Sequence, residues 1–581
     1  MTAPSAAFPT EIAGLNFYRI DAPLQRLLQR RSGTALAPWQ ETLDGFGAWV
    51  GGPCDAQAMY TDRHARPVLE AFDKNGVRTN HIRHNPAWED ASREVYKRGI
   101  VGLNYGPEPA PYLLTFAMGY ILAQADISLH CPVTMTGAVA YVLDRFAPAD
   151  VKATYLTQLT RQDGAALSGG TWATELHGGS DIGATTTVAT PVTGKPGEVR
   201  LKGLKWFTSN ANGGLALATA RPFGENAPGT KGLGVYLVPT HLADGSPNPM
   251  LIRRLKDKLG TCGIPTGEID LLDTWAVEVA PPPRGFKLMM DALSFSRIHN
   301  AMAGAGIQRR AFLEAAAFAC HREAFGQPIT AYPMVQTELL HMLAPQQAGL
   351  NLALTAAAAF DAAATVDVDD AGHPARVWLR LTTALAKYFT AEESIRASSR
   401  AIEVIGGNGY VYDRITPRLL RDAQVLSVWE GPANIQALEL LRLLGDKLGG
   451  FALFDKHLTA ILEGLPAAQL AQAAGVDVAA LLAQAQLDCR TAAQLLAGDA
   501  AEAQRHARRL LDFMAQILGF ALLLEQAAAD LASGDHTTVL LARWFAETRL
   551  APVAQHGIVA GQGWAEEQFG ALLAAHLGRG V

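Results

Sequence analysis

Cysteine is scarce in this chain and is not arranged for cross-linking or for holding a metal. The five cysteines, Cys54, Cys131, Cys262, Cys320 and Cys489, are odd in number and far apart. None of them forms a CxxC pair or stands beside a group of histidines, which are the spacings that zinc and redox sites need. The sequence therefore predicts reduced, buried thiols and no metal site.

An excess of basic residues is also missing. The 49 Lys and Arg residues are outnumbered by 55 Asp and Glu residues, which gives a net charge of -6 and a pI near 6.2. Such a chain has no overall positive field to attract nucleic acid or an anionic membrane. Composition alone does not exclude a local basic patch.

Signals for export and for membrane insertion are absent as well. Residues 1–10 lack the basic and apolar regions of a signal peptide. No apolar run approaches the ~18 residues that indicate a membrane span. These absences favour a cytoplasmic protein without a membrane span, with an organelle matrix as the open alternative.

What is present is the composition of a large folded protein. The chain has 581 residues, of which 49% are hydrophobic and 18% charged, and its mean hydropathy is +0.08. Because one domain usually has about 100 to 200 residues, we expect two to four domains and a large buried core.

The spacing of apolar residues divides the chain into helical and β-rich parts. A 3.6-residue spacing predicts helices over 45–165, for example 111–129, with a break at Cys131-Pro132. Short β-prone runs follow, and long Ala- and Leu-rich helices return near 287–320, 331–366, 374–405 and 432–446. The predicted organisation is an N-terminal extension (1–44), an N-terminal α-helical domain (45–165), a middle β-domain (166–282), a four-helix bundle (283–447) and an additional helical domain (448–581).

The most informative segment is SVWEGPANI, residues 427–435. It places the carboxylate of Glu430 after Trp429 and before a Gly-Pro break that begins at Gly431. A base that removes a proton next to a carbonyl must be desolvated and aimed, and this setting can provide both. A solvated glutamate at a helix end is the simpler interpretation, because Gly and Pro are ordinary stop signals.

Two segments of the β-rich part could contact a planar polar ligand. In ATELHGGSD, residues 173–181, two glycines lie among the hydroxyls of Thr174 and Ser180, so the loop could bind a ring edge or a phosphate. In KWFTSN, residues 205–210, Trp206 and Thr208 would share one face of a strand, where an indole could cover a planar cofactor. A plain turn and a core tryptophan are the competing interpretations.

Two segments of the helical part have similar potential. In REAFG, residues 322–326, Arg322 could hold a diphosphate while Phe325 lies against an adenine. In EVIGGNGY, residues 403–410, glycines would let a phosphate or a ribityl chain approach the backbone. Taken singly, a surface ion pair and an ordinary glycine-rich loop explain these segments as well.

Taken in order, the five segments resemble the signatures of the acyl-CoA dehydrogenase family. Thr174-Glu175 with GSD at 179–181, WFT at 206–208, RxxFG at 322–326, GGNG at 406–409 and WEG at 429–431 occur at family-like spacing over residues 50–445. Within the family, the chain is most similar to the subgroup of the alkylation-response protein AidB, through CPVTM at 131–135, LKDKLG at 255–260 and the additional C-terminal domain.

The resemblance implies a fold and a cofactor. The fold is α+β, mainly α: the acyl-CoA dehydrogenase arrangement of a helical domain, a β-barrel-like domain and a four-helix bundle, here with an additional helical domain. FAD would bind between the β-domain and the bundle and reach a neighbouring subunit, so a homodimer or homotetramer is implied. The resemblance assigns to FAD Ala173 and Thr174 (pyrimidine edge), Ser180 (diphosphate), Trp206 (isoalloxazine), Thr208 (N5), Arg322 and Phe325 (diphosphate and adenine of a neighbouring subunit's FAD), Glu403, Gly406 and Gly407 (the same path) and Asn434 (adenine end).

The resemblance also implies a reaction. Glu430 would take the α-proton of an acyl-CoA while the β-hydrogen leaves as hydride to flavin N5, giving a trans-2-enoyl-CoA, and the electrons would pass to an electron-transfer flavoprotein. Hydrogen bonds to the thioester carbonyl would stabilise the developing enolate, and burial beside Trp429 would raise the basicity of Glu430. Some relatives carry their base just before the arginine that is Arg297 here, and Ser296 at that position cannot serve. Arg297, Trp429 and Gly431 are assigned to the substrate.

Departures from the family pattern lie close to the implied site. Pro432 stands where many members carry Thr, and both Asn434 and Glu403 stand where they carry Gln. These differences affect adenine binding and the charge near FAD.

Two other functions stay open. One is a flavin oxidase or monooxygenase on the same fold, although Glu430 is one carbon longer than the acidic base of nitroalkane oxidases. The other is an AidB-like stress protein that binds nucleic acid. Residues 451–581 hold 8 Lys and Arg against 13 Asp and Glu, and their basic cluster, Arg505, Arg508 and Arg509, is typical of a solvated helix face. An acyl-CoA dehydrogenase is therefore the favoured function, and nucleic acid is not an expected partner.

Overall fold

The computed structural model describes residues 12–445, 447–551 and 563–577. The described residues form two compact units: the first takes those within 1–52, 112–125 and 300–581, and the second takes 53–111 and 126–299. Each unit combines stretches from several of the domains that the sequence suggests. The five-part domain division stays a prediction.

Helices and strands follow in the expected sequence of helical, β-rich and helical parts, except that two paired strands lie within the first part, where only helices are predicted. The first part forms α1 (Ala22–Ser32), α2 (Gln40–Trp49), α3 (Asp55–His64), β1 (Val68–Phe72), β2 (Arg78–Arg83), α4 (Pro86–Lys97), α5 (Tyr112–Ala123), α6 (Ile127–Phe146), α7 (Ala149–Val151) and α8 (Thr157–Thr160). The β-rich part forms β3 (Gly169–Trp172), β4 (Val188–Pro191), β5 (Glu198–Ser209), β6 (Leu215–Pro222), β7 (Gly234–Pro239), β8 (Met250–Leu255) and β9 (Thr266–Ala280). The remainder forms α9 (Arg284–His321), β10 (Glu323–Ala324), β11 (Gln327–Pro328), α10 (Pro333–Ala363), α11 (Pro374–Ile405), α12 (Gly407–Tyr410), α13 (Thr416–Leu426), α14 (Ala433–Leu444), α15 (Gly450–Gly464), α16 (Ala467–Ala474), α17 (Val478–Ala497), α18 (Ala500–Ala532), α19 (Thr537–Arg549) and α20 (Gly563–His576).

The helices of the first part differ from the prediction in two ways. The expected helix over 111–129 is two helices, because the Asp126 carboxylate accepts a hydrogen bond from the backbone N–H of Leu129 and starts α6. The expected break at Cys131-Pro132 is wrong, since Pro132 lies inside α6. Nearly the whole of α6 is buried, so its packing outweighs the hydrogen bond that proline removes.

Five strands of the second unit, β4, β5, β6, β7 and β9, close into a barrel. β4 pairs with β5, β5 with β9, β9 with β7, β7 with β6 and β6 again with β4, while β3 and β8 attach to β6 and β9. Buried side chains such as Trp172, Leu201, Tyr236 and Ile269 form its core. The register of β5 against β9 shifts between Lys205 and Thr208, within the WFT segment.

In the first unit, α11 packs against α10, α13 and α14. Three of these four helices, α10, α11 and α14, correspond to helices predicted for the bundle. The expected helices over 287–320, 331–366 and 374–405 agree with α9, α10 and α11 within three residues, and α14 ends at Leu444, two residues before the predicted 446, which lies outside the described residues. α13 was not expected, because the glycines that precede it suggested a loop. α18 packs on α10, α11 and α14, so the tail shares its core with the bundle.

The described residues include one helix, α18, that is long and apolar enough to cross a membrane, and the bent pair α16 and α17 passes the same test together. In α18, 78% of the apolar window is buried inside the structure, as in the core helix of a folded domain.

A buried ionic group ties the start of the described chain to the first unit. The Asp21 carboxylate accepts a 2.6 Å hydrogen bond from the Tyr120 hydroxyl and lies 3.4 Å from the Arg309 guanidinium. Arg309 also donates to the carbonyl oxygen of Ile20 over 2.9 Å. All three side chains are fully buried, so the aspartate compensates a cation that would be costly alone. All five cysteines are buried and none forms a disulfide, in agreement with the predicted buried thiols.

Candidate active site

The loop after β3 is anchored by a buried ion pair. Glu175 turns inward and accepts hydrogen bonds from the backbone N–H groups of Thr186 and Thr187 and, over 2.8 Å, from the Lys205 ammonium of β5. Burial raises the pKa of Glu175, but the charge and hydrogen bond of Lys205 outweigh it and bring that pKa to about 2. The carboxylate is therefore ionised at neutral pH and fixes the loop to the sheet.

The same loop presents the predicted hydroxyls beside a close glycine contact. Thr174 is half-buried and Ser180 is exposed. A Cβ atom added to Gly179 would lie 2.6 Å from the Thr174 hydroxyl oxygen, so any other residue here would displace that hydroxyl. The carbonyl oxygen of Thr174 accepts a 2.9 Å hydrogen bond from the backbone N–H of Trp206, which brings two of the predicted segments together.

Trp206 and Thr208 differ in exposure because of the register shift in β5. Trp206 is half-buried, whereas the Thr208 side chain is fully buried and its hydroxyl donates to the carbonyl oxygen of Gly267 over 2.8 Å. The Lys256 ammonium lies 3.4 Å from the centroid of the Trp206 ring. One face of the indole is therefore covered by a cation that sequence reasoning did not single out.

The predicted base occupies a strained turn of the first unit. Glu430 lies between α13 and α14, is half-buried, and has a φ of 57°, in the left-handed region that non-glycine residues rarely adopt. Gly431 follows with a φ of 92°. Trp429 is half-buried beside it, and its backbone N–H donates to the carbonyl oxygen of Val425. The turn therefore places Glu430 beyond the last residue of α13, outside both neighbouring helices.

Two side chains hold the backbone of this turn. The Lys387 ammonium of α11 donates to the carbonyl oxygen of Gly431 over 2.8 Å. The Gln436 amide of α14 donates to the carbonyl oxygens of Glu430 and Gly431 over 3.2 and 3.0 Å. Lys387 and Gln436 are both buried, so two helices, α11 and α14, hold the backbone around Glu430 in addition to the loop itself.

The remaining predicted residues of the first unit lie at its surface. Phe325 is 97% exposed with a φ of 51°, and Arg322, Glu403, Gly407 and Asn434 are exposed as well. Gly406 ends α11 with a φ of 72°, a conformation that suits glycine. Phe325 and Arg322 thus present an exposed aromatic ring and an exposed cation. Such groups are suited to binding a cofactor at a subunit boundary.

Arg297 lies in the second unit on a tightly packed face of α9. It is 8% exposed, and the neighbouring Ser296 is fully buried. Two residues after Arg297 on α9, the His299 ring lies 5.2 Å from that of His130 on α6. Burial lowers the pKa of His130 to about 3, so this imidazole is neutral at physiological pH.

The structure thus gathers the predicted residues into two groups. Ala173, Thr174, Ser180, Trp206, Thr208 and Arg297 belong to the second unit, and the others belong to the first. Sequence reasoning did not single out Lys256 or Lys387, and it did not identify Glu175 as a structural anchor. The signal available for Lys387 was a lysine inside the apolar stretch LTTALAKYFTA of α11, residues 381–391, whereas the contact of Lys256 depends on strand pairing.

Comparisons with known proteins agree with these observations. Residues 283–444 match the model of the acyl-CoA dehydrogenase C-terminal domain, 170–274 that of its middle domain, and 8–163 that of the adaptive response protein AidB N-terminal domain. The putative acyl-CoA dehydrogenase AidB of Escherichia coli is 29% identical over 463 residues, 77% of this chain and 81% of that protein. Acyl-CoA dehydrogenase family member 11 of Caenorhabditis elegans is 29% identical over 460 residues, 76% of this chain and 72% of that protein.

A solved structure supports the fold over almost the whole chain. The crystal structure of Caenorhabditis elegans ACDH-11 in complex with C11-CoA has a TM-score of 0.85, with 24% identity, and the match covers 98% of this chain and 97% of that one. The predicted acyl-CoA dehydrogenase fold is thereby confirmed. The chain belongs to the acyl-CoA dehydrogenase family, and its N-terminal domain is of the AidB type.

Proposed function

We propose that this protein is an FAD-dependent acyl-CoA dehydrogenase that converts an acyl-CoA thioester to a trans-2-enoyl-CoA, with Glu430 as the base. The observation that carries the proposal is the Glu430 turn: a half-buried carboxylate on a left-handed backbone, held by Lys387 and Gln436. Structures retain such backbone strain where the surroundings enforce it, which is common at active sites. Ser296, at the other position where relatives carry a base, has no carboxylate to compete.

The residues of each unit fit the chemistry of FAD. The loop over 173–181 offers the hydroxyls of Thr174 and Ser180 beside Gly179, a donor set suited to a pyrimidine edge and a diphosphate. In the first unit, Arg322 offers a guanidinium and Phe325 an open aromatic face, which suit a diphosphate and an adenine. When bound, FAD supplies the acceptor for the hydride that leaves the β-carbon.

The proton is the part of the reaction that the chain itself handles. Glu430 takes the α-proton of the acyl group, so its carboxylate must be ionised and directed at that carbon when the substrate binds. The bonds from Lys387 and Gln436 keep the turn from relaxing. Arg297, with 8% exposure, is the proposed cation for the substrate.

The partners follow from the same proposal. An acyl-CoA is the substrate, in keeping with the C11-CoA bound to the worm relative. An electron-transfer flavoprotein is the proposed electron acceptor, the cytoplasm the proposed location, and a homodimer or homotetramer the proposed assembly. Nucleic acid is not part of the proposal, because Arg505 and Arg508 of the basic cluster pair with Glu502 and Glu392.

An anaerobic titration tests the proposal directly. The yellow holoenzyme is mixed with straight, branched and aryl acyl-CoAs of increasing length while the visible flavin absorption is recorded. Bleaching by one class identifies the substrate, whereas no bleaching by any acyl-CoA, with FAD bound, contradicts the assignment. Glu430→Gln should keep FAD and slow bleaching by about 10²- to 10⁴-fold, the usual contribution of a general base. Glu463→Gln, an exposed glutamate of α15, serves as the matched control.

A further inference from the structure

Lys256 occupies an unusual place for a lysine, with its ammonium against two aromatic rings of one strand. Its ammonium lies 3.4 Å from the Trp206 ring centroid and 4.8 Å from that of Phe207. The Lys256 side chain is only 12% exposed, although lysine normally keeps its ammonium in water. A cation this close to an indole face is attracted by the negative face of the ring, and the attraction strengthens when water is excluded.

Two contacts with the sheet fix Lys256 independently of any ligand. Its backbone N–H donates to the carbonyl oxygen of Thr266 over 2.8 Å, and its ammonium donates to the Glu268 carboxylate over 2.6 Å. Glu268 is 4% exposed and also accepts a bond from Arg254. Lys256 is thus held in place by β9 through both its backbone and its ammonium, and does not merely fill space beside Trp206.

We propose that Lys256 is a positioning residue for the flavin: held by Glu268, its ammonium fixes the Trp206 ring and keeps a positive charge beside the isoalloxazine that this ring covers. The inference rests on the proposed function, because it assumes that Trp206 contacts FAD. The Thr174–Trp206 hydrogen bond extends the same arrangement to the loop that offers its hydroxyls to the cofactor. The indole is therefore held through its backbone on one side and through its ring on the other.

The charge gives this residue an effect that packing alone would not have. Reduction adds negative charge to the flavin, and a nearby cation stabilises the reduced form more than the oxidised form. Lys256 therefore raises the reduction potential of the bound flavin. Removal of the Lys256 ammonium should make that potential more negative. It should also weaken FAD binding, because the Trp206 ring would no longer be fixed.

The test compares purified holoenzymes of the wild type, Lys256→Met and Lys256→Arg, with Lys195→Met as control. Lys195 also pairs with a glutamate of the second unit but is 61% exposed. The measurements are the midpoint potential against a reference dye and the FAD dissociation constant from flavin fluorescence. We expect Lys256→Met to have a more negative potential and roughly three- to tenfold weaker FAD binding, the range of a partly desolvated cation–π contact. Lys256→Arg should restore the potential.

An unchanged potential in Lys256→Met would overturn the inference. Tighter FAD binding by this variant would overturn it as well, because it would mean that the lysine occupies space that the flavin needs. If Lys256→Met fails to fold, Lys256→Gln, which can still donate to Glu268, provides the neutral comparison. Failure of the proposed function is a separate result: it would appear in the wild type as absence of FAD or of bleaching by acyl-CoA.

Discussion

The Lys387 ammonium donates a 2.8 Å hydrogen bond to the carbonyl oxygen of Gly431, the residue after the proposed base. Lys387→Met keeps the length of the side chain and removes this bond. We expect the rate of flavin bleaching by acyl-CoA to fall about 10- to 100-fold, because a small displacement of a catalytic group has effects of this size. FAD content should stay at the wild-type level.

The control for this variant is Lys456→Met, an exposed lysine of α15 in the same unit. Rapid mixing of each variant with the best acyl-CoA separates the bleaching rate from substrate affinity. A Lys387→Met protein with wild-type bleaching would show that Gln436 alone holds the turn.

The Glu175–Lys205 pair predicts a stability effect. Glu175→Ala leaves a buried ammonium without its counter-charge, and breaking such a pair typically costs about 3–5 kcal/mol. We expect a lower thermal midpoint and loss of FAD, since the same carboxylate anchors the loop over 173–181. The double variant with Lys205→Met should recover part of the midpoint. Recovery is the decisive outcome, because a purely steric effect would not be reversed by removing the cation.

Phe325 allows a test in which binding and stability separate. Its ring is 97% exposed, so Phe325→Ala should leave the thermal midpoint of the FAD-free protein unchanged. If the ring stacks on an adenine, its removal should weaken FAD binding roughly three- to tenfold. Exposed Phe223→Ala, which is 74% exposed, is the control. Equal FAD affinity in the two variants would remove Phe325 from the proposed site.

Buried histidines predict a loss of stability in acid. Burial lowers the pKa of His130 to about 3 and of His576 to about 4, against an ordinary value of 6.5. Between these values the unfolded chain binds protons that the folded chain does not, so the free energy of unfolding falls as pH decreases below about 6.5. Each histidine contributes up to about 1.4 kcal/mol per pH unit.

Unfolding by urea at pH 7.5 and 5.5 measures this effect. His130→Asn should lose less stability between the two pH values than the wild type, whereas His241→Asn, at an exposed site, should behave like the wild type. A wild-type slope in His130→Asn would mean that His130 accepts its proton without unfolding.

Sequence reasoning identified features that depend on local patterning. The long helices α9, α10 and α11 carry continuous apolar spacing, and the turn at Glu430 follows from Gly431 and Pro432, so both could be read directly. Contacts between distant segments could not. The course of α6 through Pro132 depends on burial from all sides, and the Lys256–Trp206 contact depends on the register of β8, β9 and β5. The positions of the FAD residues came from resemblance, since spacing alone does not distinguish a cofactor loop from an ordinary turn.

The backbone of Glu430 has a consequence for how this protein could change over generations. A non-glycine residue in the left-handed region costs about 1–2 kcal/mol, so a glycine at this position would relax the turn and make the fold more robust. The same change would delete the proposed base. Stability therefore favours glycine at position 430, whereas the proposed chemistry requires glutamate. A lineage that no longer needs the dehydrogenation would gain stability by losing the carboxylate.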